Sequence, residues 1–86
     1  MEFKHVPKSA NDFLEKGNLR MALLRTAMFP RNIQGGRGLS AEIKQKAAVL
    51  EQDYDKAIES VKTVTKSQVL QLFIRLDNLL NEIYNS

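Results

Sequence analysis

The sequence predicts an all-α fold: a small antiparallel helical bundle of three helices, or four if the first breaks at Gly17-Asn18. Three observations carry this. Apolar residues recur at helical spacing from Ile43 to Val61 and from Val69 to Tyr84, with no strand-like alternation. Thr65 and Gln68 form a capping box, which fixes where the last helix starts. Only three or four residues separate the two runs, a connection short enough to make the helices antiparallel neighbours.

Taken in order, residues 1–8 read as an extended arm, because the ring of Pro7 disfavours a helical Val6. Within it His5 has no second histidine or carboxylate at ligand spacing and reads as flexible and exposed. Ser9 then caps a helix spanning 10–28, with Asp12 in its first turn. Ala10, Leu14, Gly17, Met21, Leu24 and Met28 keep one 4-3-4-3-4 register, which favours a helix continuous through Gly17. The competing reading ends a two-turn helix there and starts another with Asn18 as cap. In the continuous register Met21 and Met28 belong to the core. Phe29-Pro30 ends the helix, and residues 30–39 (PRNIQGGRGL) form a long loop loosened by three glycines in four positions.

The next helix spans 41–62. Ser40 caps it, Glu42 lies in its first turn, and Ile43, Ala47, Leu50, Tyr54, Ala57 and Val61 share one stripe. Glu51, Asp55 and Glu59 recur opposite that stripe as a solvated face; paired acid–base chemistry needs burial to move pKa values. The last helix spans 66–84, with Val64 and Val69 flanking its cap as a hydrophobic staple. Val69, Leu72, Leu76, Leu79 and Ile83 form one seam, and Leu70, Phe73, Leu80 and Tyr84 a second. A helix apolar on that much of its surface touches more than one neighbour and belongs at the centre.

The chain makes one domain, 1–86. At this size it buries only about 60% of the surface its unfolded form exposes, so each cap counts. It has no cysteine, and hence no disulfide framework. No apolar run approaches the ~18 residues of a membrane span, and MEFKHVPKS lacks the apolar core of a signal peptide. The net charge of +3 is unevenly spread: residues 1–39 hold seven Lys/Arg against three Asp/Glu, and residues 40–86 six against seven. Four of the five arginines lie in the first half, which points to an acidic partner there.

No serine or threonine can be paired with a base, because the only histidine lies in the arm. No catalytic, metal-binding or cofactor-binding residue is assigned, and no enzyme activity is expected. The segment GGRG lacks the lysine and Ser/Thr of a phosphate-binding P-loop. The expected partner-binding set is Arg20, Arg25, Arg31, Ile33 and Arg37, with arginine forks for carboxylates and Ile33 as an apolar anchor among them. The acidic stripe is expected to stay in water. This describes a non-enzymatic binding or accessory subunit of a larger protein assembly. The alternatives are a small basic nucleic-acid binder and an immunity- or inhibitor-type helical protein that occludes one partner. Against nucleic acid, Phe73 and Tyr54 sit in apolar seams and are not offered to bases.

Leu19-Arg20 and Leu24-Arg25 lie on a helix before a loop, and a second helix runs from Leu50 to Val61. A short polar connector with Ser67 follows, then a closing helix ending Leu79-Leu80-Asn81-Glu82-Ile83. Over residues 18–84 this order resembles the PsbQ-type extrinsic subunits of photosystem II, small basic helical bundles of the thylakoid lumen. That family packs four helices, where this chain shows three, with the fourth absent or reduced to the arm. The resemblance implies a soluble, non-catalytic lumenal subunit that docks on a large complex and supports it without binding its metal cluster. It carries over no site residue.

Overall fold

Five helical segments follow one another, with no strand among the described residues: α1 (Lys8–Glu15), α2 (Leu19–Thr26), α3 (Met28–Gln34), α4 (Ala41–Glu59) and α5 (Lys66–Tyr84). The computed structural model describes residues 2–85, so Met1 of the expected arm and Ser86 lie outside the described residues. Ala27, between α2 and α3, is itself helical (φ −61°, ψ −27°). The chain therefore makes a small all-α bundle with four arms: α1, α2–α3, α4 and α5.

The first helix is not continuous. Gly17 takes φ +81°, a left-handed conformation that only glycine adopts without cost. The Asn18 N–H donates to Phe13 O (2.9 Å) and the Gly17 N–H to Leu14 O (3.0 Å), which is the bond pattern of a Schellman cap. Asn18 then caps α2, its Oδ1 accepting from Met21 N. One residue thus closes one helix and opens the next. Nor does Ser9 cap α1: the helix starts one residue earlier, at Lys8, and the Pro7 carbonyl accepts from the N–H groups of Ala10 and Asn11.

Pro30 does not end a helix either. It is the third residue of α3, inside the first turn, where backbone N–H groups have no intrahelical acceptor and the missing proton costs little. Its ring is fully buried. The expected loop over 30–39 therefore shrinks to residues 35–40. Gly36 has a packing reason to be glycine, since a Cβ there would meet Leu39 Cδ1 at 2.7 Å.

Helices α4 and α5 form the expected antiparallel hairpin. Lys46 pairs with Glu82 and Asp53 with Arg75, so a step of seven residues up α4 is a step of seven back along α5. Ser40 caps α4 through Ile43 N. The helix stops at Glu59, short of the expected 62, in a turn where Val64 N donates to Ser60 O; the β-branched run Val61, Thr63, Val64 favours that exit. The capping box of α5 is complete: Gln68 N donates to Thr65 Oγ1 (3.1 Å) and Thr65 N to Gln68 Oε1 (2.9 Å). Thr65→Ala should therefore cost about 1 kcal/mol, or roughly 4–8 °C of midpoint, and Ser67→Ala almost nothing. Equal thermal midpoints for the two variants would remove the box from the account. As expected, α5 is central, burying Val69, Leu72, Phe73, Leu76, Leu79 and Leu80 against α1, α2 and α4.

The arm is docked, not free. The Asp77 carboxylate, on α5, accepts from the backbone N–H groups of His5 (2.7 Å), Val6 (3.2 Å) and Lys4 (3.4 Å). Val6 is buried, and Phe3 meets Phe73 edge-on at 5.8 Å. His5, expected to be exposed, lies half-buried against Tyr84 with Nε2 3.4 Å from Asn81 Oδ1. Replacing Asp77 by Ala leaves those amides without their acceptor, a loss of about 1–3 kcal/mol. Amide exchange at residues 4–6 should accelerate in Asp77→Ala while that of α5 follows the global loss. Unchanged exchange at 4–6 would show that Phe3 and Val6 hold the arm unaided.

Candidate docking surface

From Lys16 to Ala41 the chain has five cations (Lys16, Arg20, Arg25, Arg31, Arg37) and no carboxylate. The fold treats them differently. Arg31, on the outer side of α3, sends Nε to Glu51 Oε2 on α4 at 3.1 Å, and Gln34 Nε2 reaches Glu51 Oε1 at 3.3 Å. The Arg31 side chain stays 80% exposed, so the pair contributes at most ~1 kcal/mol. It does neutralise Arg31. It also corrects the expected solvated acidic stripe: Glu51 is half-buried and paired, and only Asp55 and Glu59 are exposed. The expected anchor Ile33 is a core residue, 7% exposed, because α3 continues through it and turns it inward. Arg37 is exposed on the turn before Gly38.

Arg20 and Arg25 remain, both exposed on α2, and neither has a carboxylate at ion-pair distance among the described residues. The Arg25 guanidinium lies 5.8 Å from the centroid of the Phe13 ring on α1, within cation–π range. Helix α2 buries Ala22, Leu23 and Thr26. The opposite side of the α2–α3 arm carries two apolar side chains: Leu24 on α2 is 42% and Met28, the first residue of α3, 56% exposed. Arg20, Leu24 and Met28 are spaced i, i+4, i+8, so they share one face, with Arg25 beside it.

The sequence register placed Leu24 and Met28 in the core, and the structure does not. A register carried across Gly17 assumes a helix that is not there. Starting afresh at Asn18, the row Leu23, Thr26, Pro30, Ile33 has 3-4-3 spacing and leaves Leu24 and Met28 outside. The Gly-Asn pair was the signal for that restart. Arg37 is not one patch with the rest, because it lies beyond the end of α3, and Arg20 and that end at Gln34 are roughly 20 Å apart at 1.5 Å per residue.

A groove of about 380 Å³ runs between α4 and α5 over Val49, Leu50 and Leu79. Its rim charges are satisfied internally: Lys46 by Glu82 and Arg75 by Asp53. The hydrogen bond and charge of Glu82, with a smaller effect of Glu42, raise the Lys46 pKa. Such a rim makes no demand on a charged ligand.

In the core, the Tyr54 hydroxyl is buried without a partner at hydrogen-bonding geometry. The proton of the neighbouring Thr26 goes to the Ala22 and Leu23 carbonyls instead (3.0 and 3.2 Å). Burial pushes the Tyr54 pKa well above the ordinary 10.0; Thr26 and the charge of Arg75 pull it down by less. Among the described residues no group of three or more His, Asp or Glu is placed to hold a metal ion. Nor, among the described residues, is any helix long and apolar enough to cross a membrane. Comparison with protein-family models, with curated proteins and with solved structures returns no match.

Proposed function

We propose that the chain is a non-enzymatic accessory subunit that docks on a larger protein assembly through the outer face of α2–α3. The observation that carries this is the exposed Leu24–Met28 pair set between unpaired arginines. An apolar centre with a charged rim is the anatomy of a protein interface, and Met and Arg are enriched there. The narrower form, a PsbQ-like subunit of photosystem II in the thylakoid lumen, rests on the sequence resemblance. The expected docking set changes with the fold: Arg20 and Arg25 stay, Leu24 and Met28 replace Ile33, and Arg31 is committed to Glu51. The test is co-migration of tagged protein with its assembly on native gels. Leu24→Asp with Met28→Asp should release the protein, while Asp55→Lys should leave it bound. The reverse pattern would remove this reading.

Nucleic acid is the second reading, favoured by the same run of five cations. The most exposed ring among the described residues, Tyr84, lies far from Lys16 and Arg20. Lys66 Nζ reaches Glu15 O, so α5 starts beside the α1–α2 turn, and Tyr84 ends it about 27 Å away. Single-strand binders stack bases beside their cations. An anisotropy titration should show no binding at 50 mM salt; binding that weakens steeply by 200 mM would favour nucleic acid instead.

A further inference from the structure

We infer that the face centred on Leu24 and Met28 receives an acidic amphipathic helix of the partner. This rests on the docking role proposed above and adds the chemistry of what docks. Three observations carry it. First, Arg20, Leu24 and Met28 form a single i, i+4, i+8 ridge about 12 Å long at 1.5 Å per residue. Such a ridge on a helix fits the groove of another helix, and α2 offers no free backbone edge to a strand.

Second, the two guanidiniums beside the apolar pair have no carboxylate partner among the described residues, and the sequence supplies none between Glu15 and Glu42. A neutral or basic helix would cover Leu24 and Met28 and leave both arginines desolvated without a counter-charge, at a cost in affinity. Carboxylates flanking an apolar stripe meet both needs, and arginine forks donate to them in bidentate pairs. Third, Arg25 is already positioned by the Phe13 ring, so less side-chain entropy is lost when it pairs. An anionic membrane fits less well. Interfacial helices sink a broad apolar face into lipid, whereas here two side chains project and Ala22, Leu23 and Thr26 are core.

The test uses the full chain and three probes: an 18-residue helical peptide with a leucine stripe flanked by Glu, the same peptide with Lys for Glu, and vesicles with 30% anionic lipid. By fluorescence anisotropy the Glu peptide should bind, the Lys peptide should bind at least tenfold more weakly, and vesicles should not co-sediment the protein. Arg20→Glu with Arg25→Glu should abolish the preference for Glu over Lys. Leu24→Asp with Met28→Asp should weaken the Glu peptide at least tenfold, and Asp55→Lys should change nothing. Far-UV circular dichroism keeps unfolded variants out of the comparison. Equal affinity for the two peptides, or binding to vesicles alone, overturns the inference. A photo-crosslinker at Leu24, with the linked partner segment sequenced, separates this failure from that of the docking role. A neutral or basic segment sinks the acidic helix and leaves docking standing; no crosslink to any assembly sinks both.

Discussion

Replacing Tyr54 by Ala should cost about 3–5 kcal/mol, while replacing it by Phe should cost nothing and gain up to about 1 kcal/mol. Both expectations come from one site. Tyr54 is among the largest fully buried side chains, placed by the α4 stripe at the junction with α2. Truncation to Ala removes a whole ring from a close-packed core, and domains of this size hold only ~5–15 kcal/mol in total. The thermal midpoint should fall by tens of degrees, at roughly 4–8 °C per kcal/mol. The Phe variant keeps the ring and removes only a hydroxyl that is buried without a partner. A loss above about 1 kcal/mol in Tyr54→Phe, read from urea midpoints, would show that the hydroxyl does make a stabilising bond.

The same hydroxyl predicts an alkaline effect. Its folded pKa lies above the unfolded 10.0, so above that pH the unfolded chain gives up a proton that the folded chain retains. Its contribution is therefore intact below pH 10 and is lost as pH rises toward the folded pKa, at about 1.4 kcal/mol per pH unit. The advantage of Tyr54→Phe over wild type should widen from pH 8 to pH 11. The two proteins differ at this one group, so contributions from the rest of the chain cancel in the difference. A gap that does not change with pH would mean the hydroxyl meets water.

What was legible in the sequence follows physical range. The hairpin was, because helical periodicity and a capping box are local signals: Thr65, Gln68, Ser40 and the α5 seams fall where spacing put them, except that Tyr84, at the frayed end of the second seam, is 69% exposed. The arm was not, because what holds it lies more than seventy residues away, in the Asp77 carboxylate. Nor was the Arg31–Glu51 pair, which exists only because α3 continues past Pro30 and lies along α4. Of the expected docking residues, Arg20 and Arg25 are exposed as read. Ile33 failed because one turn of helix replaced loop. The apolar half of the surface was missed for a single reason, the register carried across Gly17.

That register gives the last prediction. If the first helix were continuous, Leu24 would be core and Leu23 peripheral. The Schellman cap at Gly17 and the Asn18 cap reverse this: Leu23 is 0% and Leu24 42% exposed. Leu23→Ala should therefore cost about 2–5 kcal/mol, the range for a buried leucine whose cavity cannot fully collapse. Leu24→Ala, on the exposed side of the same turn, should stay within about 0.5 kcal/mol, as surface substitutions do. The two residues are neighbours in sequence and chemically identical, so helix propensity and unfolded-state effects are nearly the same for both. Only the phase of α2 separates them. Comparable losses in chemical denaturation, or a larger one at Leu24, would restore the continuous helix. Leu24 and Met28 would then return to the core, and the docking face would lose its apolar centre.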